Sequence, residues 1–176
     1  MYKIIRKEVL NPTITLLEIE APFVAKKAKP GQFIILRIDE KGERLPLTIG
    51  GFDREKGTVT IIFQLVGLTT KALAKLNPGD YLLDFVGPLG MPTETEGIKR
   101  VCVIGGGLGT AIAYPVAKGF HDAGAETDVI VGFRNKDLVI LEDDFRNACD
   151  NFYIMTDDGS YGEQGFTTTK EKQLLE

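Results

Sequence analysis

The sequence has no tryptophan, one histidine and two cysteines among 176 residues. Cys102 and Cys149 lie far apart and form no C-x-x-C pair. The chain alone therefore builds neither a disulfide framework nor a zinc or iron–sulfur site, and no metal ligand set is expected. One histidine, His121, leaves no Ser-His-Asp constellation; its place late in an expected helix suits a surface or helix-end role. No apolar run approaches the ~20 residues of a membrane span. The opening Met-Tyr-Lys-Ile-Ile-Arg-Lys lacks the apolar core of a signal peptide. No membrane partner is expected, and the expected compartment is the cytoplasm. The 21 basic residues are outnumbered by 25 acidic ones, for a net charge of −4, which argues against nucleic acid as a partner.

Glycine, by contrast, is plentiful and concentrated. Val101-Cys102-Val103-Ile104 is a short apolar run that reads as a strand buried on both faces, with Cys102 packed inside as a small hydrophobe. Gly105, Gly106, Gly107, Leu108 and Gly109 follow at once, then Thr110 opens a segment of helical composition. Strand, glycine turn and helix together bring main-chain N–H groups and a helix N-terminus up to a pyrophosphate. The G-x-G-x-x-G fingerprint would have glycine where Thr110 stands. The turn reads either as a nucleotide site or as a tight connection.

Residues 1–97 read as β-rich, with strands expected at 13–19, 32–38, 44–49, 58–65 and 81–86 and a short helix at 71–76. Gly and Pro turns at this spacing point to a small antiparallel barrel or sandwich, and the nucleotide-binding α/β unit that follows favours the barrel. Two stretches there suit a ligand. Pro46 inside a strand belongs at an edge or bulge, where Thr48 and the nearby Arg44 offer a hydroxyl and a cation; the alternative is a plain edge strand with a solvated arginine. Val66-Gly67-Leu68-Thr69-Thr70 precedes a helix, where Thr69 or Thr70 caps it or the same amides take a phosphate.

Residues 87–97 break regular structure and mark a domain boundary. Beyond it come a helix at 110–122 with Pro115 in its first turns, a strand at 127–133, a helix at 138–149 and a strand at 151–156. Strands alternating with helices imply a parallel sheet. Its carboxyl ends, where such sheets bind ligands, carry Arg134-Asn135-Lys136-Asp137 and Asp157-Asp158-Gly159-Ser160. The second loop reads as a ribose contact or a surface turn. Arg134 and Lys136 favour the 2′-phosphate of NADP, while Asp137 keeps NAD open. Three parallel strands are half of a doubly wound sheet, so a fragment, or a sheet completed by a partner, is expected.

Taken in order, Arg44-Leu45-Pro46-Leu47-Thr48-Ile49, Gly87-Pro88-Leu89-Gly90, the 105–109 turn, Tyr114-Pro115, Gly132-Phe133-Arg134-Asn135-Lys136-Asp137 and Asp157-Asp158-Gly159-Ser160 span essentially the whole chain. Together they resemble the ferredoxin reductase-like FAD/NAD(P)-binding subunits. The resemblance implies an antiparallel Greek-key FAD-binding β-barrel over 1–97 and a Rossmann-like NAD(P)-binding α/β domain over 98–176, truncated at its C-terminal part. It implies FAD contacts from Pro46, Leu47, Thr48, Ile62, Phe63, Gln64, Thr69 and Thr70. For the nicotinamide nucleotide it points to Gly105, Gly106, Gly107, Leu108, Gly109, Thr110, Arg134, Asn135, Asp157, Asp158 and Gly159. It implies NAD first, with NADP as the alternative. Two departures stand out. The family's arginine falls at Leu45 here, one residue from Arg44, and the C-terminal cysteines that hold a [2Fe–2S] cluster are absent. The implied function is an electron-transfer flavoprotein subunit that moves hydride between NAD(P)H and FAD. It would then pass single electrons to an iron–sulfur centre or ferredoxin, beside a larger redox subunit in a heterodimer. The alternatives are a stand-alone flavin or ferredoxin reductase and a non-catalytic nucleotide-binding module.

Overall fold

In the computed structural model, which describes residues 1–176, two compact units divide between Thr93 and Glu94. The first is an antiparallel sheet curled into a nearly closed barrel. Its strands are β1 (Tyr2–Asn11), β2 (Ile14–Glu20), β3 (Phe33–Arg37), β4 (Leu45–Asp53), β5 (Thr58–Gln64), β6 (Tyr81–Leu82) and β7 (Asp84–Leu89). Their spatial order is β6-β1-β2-β5-β4-β3-β7. The meander β3-β4-β5 with β2 beside β5 is a Greek key. Leu83 joins the two ends of the order, its N–H donating to the Arg37 carbonyl at 3.0 Å.

Alternation along the strands fills the barrel. Leu17, Ile34, Leu36, Ile61, Phe63 and Phe85 all point into one core, each contributing about 1.5–3 kcal/mol by leaving water. Helix α1 (Pro22–Lys27) adds Val24 and Ala25 to that core, and helix α2 (Leu68–Leu73) adds Leu73.

The helix expected at 71–76 lies at Leu68–Leu73, with Gly67 as its N-cap and Thr69 and Thr70 inside its first turn. Sequence and structure differ in three further places here. β1 carries a register shift between Ile4 and Arg6, so two isoleucines sit side by side and the period of two is lost. Residues 87–89, expected to be irregular, continue β7 through a cis Gly87–Pro88 peptide. Pro46 is not on a strand at the edge of the sheet, because β4 lies between β3 and β5. It sits instead in the half of β4 that β5 leaves unpaired, where a missing N–H removes no β4–β5 hydrogen bond.

The second unit is a parallel sheet in the order β11-β10-β9-β8, built from β8 (Arg100–Gly106), β9 (Glu126–Phe133), β10 (Asn151–Thr156) and β11 (Glu163–Gln164). Helix α3 (Gly109–Asp122) crosses from β8 to β9 and packs on both, and Gly124, at φ +86°, ends that segment. Pro115 is in the middle of α3 rather than its first turns. Its missing N–H removes one main-chain bond, and the buried ring packs against the unit's interior. The expected helix at 138–149 is broken. A 3₁₀ turn at Lys136–Leu138 precedes Leu141 at φ +60°, which restarts the chain as α4 (Glu142–Arg146). Helix α5 (Thr167–Leu175) contacts β9 and β8.

β8 departs most from expectation. Val103 and Gly105 face α3 and are buried, whereas Cys102 and Ile104 on the opposite face are exposed. Cys102 is therefore not a core residue. The β-branched composition fits an enclosed strand, but α5, which contacts β8, leaves Cys102 and Ile104 exposed.

Candidate functional site

In the first unit the site residues converge where two strands part. β4 pairs with β3 over Leu45–Thr48 and with β5 only from Ile49 onward, the last partners being Ile49 and Ile61. A register shift at Gly50 marks the divergence. Pro46–Thr48 on one side and Ile62–Gln64 on the other thus face an unzipped stretch of sheet. Alternation turns Leu47 and Phe63 into the barrel. Pro46, Thr48, Ile62 and Gln64 point outward, and Ile62 lies against Gly50, whose absent Cβ would sit 3.4 Å from its side chain. A shallow apolar floor with unused main-chain edges can receive a flat ring and hydrogen-bond its rim. Arg44 is exposed and precedes β4.

The α2 turn follows directly after β5. Thr70 accepts hydrogen bonds from the Val66 and Gly67 amides at 3.1 and 3.0 Å and donates to the Gly67 carbonyl at 3.1 Å. Its buried hydroxyl is fully used in shaping the turn. Thr69 is half-buried and donates to the Glu43 carboxylate at 3.1 Å. No acidic residue occupies the first turn of α2, and a Cβ at Gly67 would meet nothing within 4 Å. The turn is open to an anion approaching its amides.

In the second unit the glycines divide the work. A Cβ on Gly105 would lie 2.9 Å from Thr110 Cα and 3.1 Å from Ala113 Cβ, so this glycine lets α3 pack onto β8. Gly107 takes φ +52° and donates its N–H to the Gly132 carbonyl at 3.0 Å, which reverses the chain. Gly106 and Gly109 leave the approach clear: a Cβ would meet only the Gly132 carbonyl at 3.9 Å in the first case and nothing in the second. No side chain caps α3 at Leu108. The Thr110 hydroxyl, fully buried at that terminus, has no hydrogen-bond partner in the protein. A buried hydroxyl without a partner is a cost that a ligand removes. An uncapped 14-residue helix behind a clear glycine turn fits a diphosphate.

The loops after β9 and β10 form one structure. Asp157 N–H donates to the Phe133 carbonyl at 3.1 Å, Asp158 N–H to that of Arg134 at 3.3 Å, and Lys136 N–H to Ser160 Oγ at 2.8 Å. Ser160 binds Asp158 Oδ1 through both its hydroxyl, at 2.6 Å, and its amide, at 2.9 Å, and these bonds hold the Asp158 carboxyl below the usual range. Asn135 accepts from the Asp137 amide at 3.1 Å. Gly159, at φ +72°, makes the turn. Asn135, Asp158 and Gly159 therefore shape the loops, while Arg134 and Asp157 are exposed at the carboxyl ends of the strands. Sequence reading missed Tyr161 and Glu142: the phenol lies 3.0 Å from both oxygens of the Glu142 carboxylate, its hydrogen bond to that carboxylate and then the carboxylate's charge raise its pKa, and Lys136 Nζ stands 5.3 Å above its ring. Nothing in the spacing of these residues signals that contact.

Known proteins place these features in context. No protein-family model matches the chain. An uncharacterised protein in the adh 3′ region of Clostridium beijerinckii is 52% identical over 99% of this chain and 62% of its own length. The dihydroorotate dehydrogenase B (NAD(+)) electron transfer subunit homolog of Thermotoga maritima is 40% identical over 98% of this chain and 61% of its own length. Among solved structures, that of an NADH-dependent reduced ferredoxin-NADP oxidoreductase, described for flavin-based electron bifurcation, superposes with a TM-score of 0.92 at 38% identity. It matches over 99% of this chain and 63% of its own. A ferredoxin-NADP+ reductase from Plasmodium falciparum, at 14% identity and a TM-score of 0.77, shares the fold. The chain thus spans less than two thirds of the length of the two curated relatives and of the bifurcating oxidoreductase.

Proposed function

We propose that this chain, which has the ferredoxin reductase-like fold and is homologous to electron-transfer subunits, is the FAD- and NAD(H)-binding part of such a subunit. FAD held by this chain would supply hydride acceptance from reduced nicotinamide and one-electron release. The chain's own work is positional. Pro46, Thr48, Ile62 and Gln64 floor the flavin ring, and the amides of the α2 turn, with Thr69, take its diphosphate. Glu43 must release the Thr69 hydroxyl when that group binds. The amides of Leu108 and Gly109 and the Thr110 hydroxyl take the nicotinamide nucleotide's diphosphate, and the paired loops take its adenosine ribose. No acid, base or nucleophile is required, in keeping with the lack of any such constellation.

The observation that carries this reading is the parting of β4 from β5 beside the outward-facing Thr48 and Gln64. NADH is the proposed donor. Its relative NADPH is the second reading, favoured by the exposed Arg134 at the end of β9. A larger redox subunit and a ferredoxin or iron–sulfur acceptor complete the proposal, in the cytoplasm. No helix here is long and apolar enough to cross a membrane.

The test is the visible absorption spectrum of the purified protein, reconstituted with FAD, before and after NADH and then NADPH under anaerobic conditions. Flavin bands that bleach with NADH alone are expected. A protein that stays colourless and takes up no FAD refutes the reading.

A further inference from the structure

On sequence, Lys136 counts beside Arg134 as a cation for a 2′-phosphate, but the structure gives its ammonium another neighbour. The Lys136 main chain is fixed at the paired loops: its N–H donates to Ser160 Oγ at 2.8 Å, and Ser160 in turn donates to Asp158. Its side chain leaves that bond and sets Nζ 5.3 Å from the centre of the Tyr161 ring. An ammonium within about 6 Å of a tyrosine ring is attracted by the negative face of that ring. The tyrosine is itself anchored at both ends. At its backbone, the fully buried Thr156 hydroxyl donates to the Tyr161 carbonyl at 2.6 Å and accepts from the Tyr161 amide at 3.2 Å. At its tip, the phenol donates to Glu142, 3.0 Å from both carboxylate oxygens. The same carboxylate accepts from Arg146 Nε at 3.1 Å and Nη2 at 2.7 Å, which pins it to α4. Glu142 starts that helix directly after Leu141, whose left-handed backbone turns the chain there. A phenol that donates to a carboxylate is polarised towards its anionic form, and its ring draws an ammonium more strongly.

We propose that Tyr161 is a positioning residue for nucleotide choice. By holding the Lys136 ammonium over its ring, it withholds that charge from the 2′ position of the adenosine ribose and tilts the site from a 2′-phosphate towards a free 2′-hydroxyl. The inference rests on the reading that the paired loops take that ribose. Charge then sorts the two donors. Besides Lys136, the loops at 134–137 and 157–160 carry Arg134 against Asp137, Asp157 and Asp158. A phosphate monoester brings close to two negative charges at neutral pH, and with Lys136 held on the ring it meets three carboxylates and one cation. A hydroxyl brings no charge and can donate to a carboxylate. Lys136 released from the ring would supply the second cation and favour the 2′-phosphate.

Nucleotide fragments test this without flavin. Adenosine 5′-monophosphate and adenosine 2′,5′-bisphosphate, which differ only in the 2′-phosphate, are titrated calorimetrically into the 176-residue chain at low ionic strength. Tyr161→Leu should raise the affinity for the bisphosphate relative to the monophosphate by roughly two- to fivefold, the strength of an exposed cation–ring contact. Lys136→Met should leave the wild-type ratio unchanged, and adding it to Tyr161→Leu should cancel the gain. A change that only loosens the loops weakens both ligands alike. An unchanged ratio in Tyr161→Leu therefore overturns the proposal, as does a Lys136→Met chain that loses bisphosphate affinity selectively. If Tyr161→Leu does not fold, proton NMR of the wild type decides. The Lys136 ε-methylene protons should lie upfield, shielded by the ring, and should stay there when the bisphosphate binds. Protons that move to the ordinary lysine position on binding show Lys136 reaching the 2′-phosphate, and overturn the proposal. Chains that bind neither fragment refute the ribose site and this inference with it. Chains that bind both with an unchanged ratio refute this inference alone.

Discussion

Gly109→Ala should move stability and nucleotide affinity in opposite directions. Gly109 is the first residue of α3, and a Cβ built there meets nothing within 4 Å. Its φ is not in the left-handed region, so alanine fits without backbone strain. The substitution removes glycine's excess chain entropy, which stabilises a helix by up to about 1 kcal/mol. For a chain of this length that raises Tm by roughly 2–4 °C. The same methyl group occupies the clear approach to the uncapped helix terminus. Holding a diphosphate back from its amides removes at least one charge-assisted hydrogen bond, about 1.5–3 kcal/mol, or roughly tenfold or more in Kd. The assay pairs thermal unfolding of the nucleotide-free protein with NADH titration by calorimetry. Gly105→Ala is the control with a different signature: its Cβ would press on Thr110 Cα and Ala113 Cβ, so stability should fall by about 1–3 kcal/mol. If Gly109→Ala binds NADH as tightly as the wild type, the glycine turn is a connection and not a binding site.

Three further outcomes follow from named contacts. Thr70→Val leaves the Val66 and Gly67 amides without their shared acceptor and should cost about 1–2 kcal/mol of stability, with Thr70→Ser restoring most of it in urea unfolding. Burial pushes the Cys149 thiol up to about 11, so three pH units lower only about one part in a thousand is thiolate. Mass spectrometry after brief alkylation should find the exposed Cys102 labelled well before Cys149. The Asp158 carboxyl is held below its ordinary value by Ser160. Its contribution to the loop is therefore complete above the unfolded carboxylate pKa and is lost as pH falls through the lower folded value. NMR should show the Ser160 amide shifting over that acid range, and Asp158→Asn should abolish the titration.

The legible parts of this sequence are those in which one local rule dominates. β5 has an unbroken β-branched pattern and was readable to within a residue of its end. The 105–109 turn announces itself because several glycines in succession after an apolar run have few other uses. β1 was not readable as a strand, because its register shift between Ile4 and Arg6 destroys the period on which such a reading depends. The break at Leu141 was equally hidden: a leucine at φ +60° is set by packing, not propensity. Composition also misjudged Cys102. Val-Cys-Val-Ile records the kind of strand β8 is, whereas exposure depends on what lies beside it, and no local pattern carries that information.

The same distinction explains which site residues the sequence could name. Where a side chain supplies the chemistry, as Thr70 does for the α2 turn, residue type and spacing point to it. Where the main chain supplies it, the side chain says little. Leu47 and Phe63 turn into the barrel, so their identities follow from the core they fill. Only their amides and carbonyls border the gap between β4 and β5. Ile62–Gln64 accordingly entered the reading through resemblance alone, and their place beside Pro46–Thr48 became visible only once the end of strand pairing at Ile49 and Ile61 was seen. A site made of released backbone edges is conserved by geometry: any hydrophobic pair that keeps β4 and β5 parting at Gly50 preserves it. If the gap holds the proposed flavin ring, substitutions that re-zip the two strands will therefore weaken ring binding more than changes to Leu47 or Phe63 that keep the core filled.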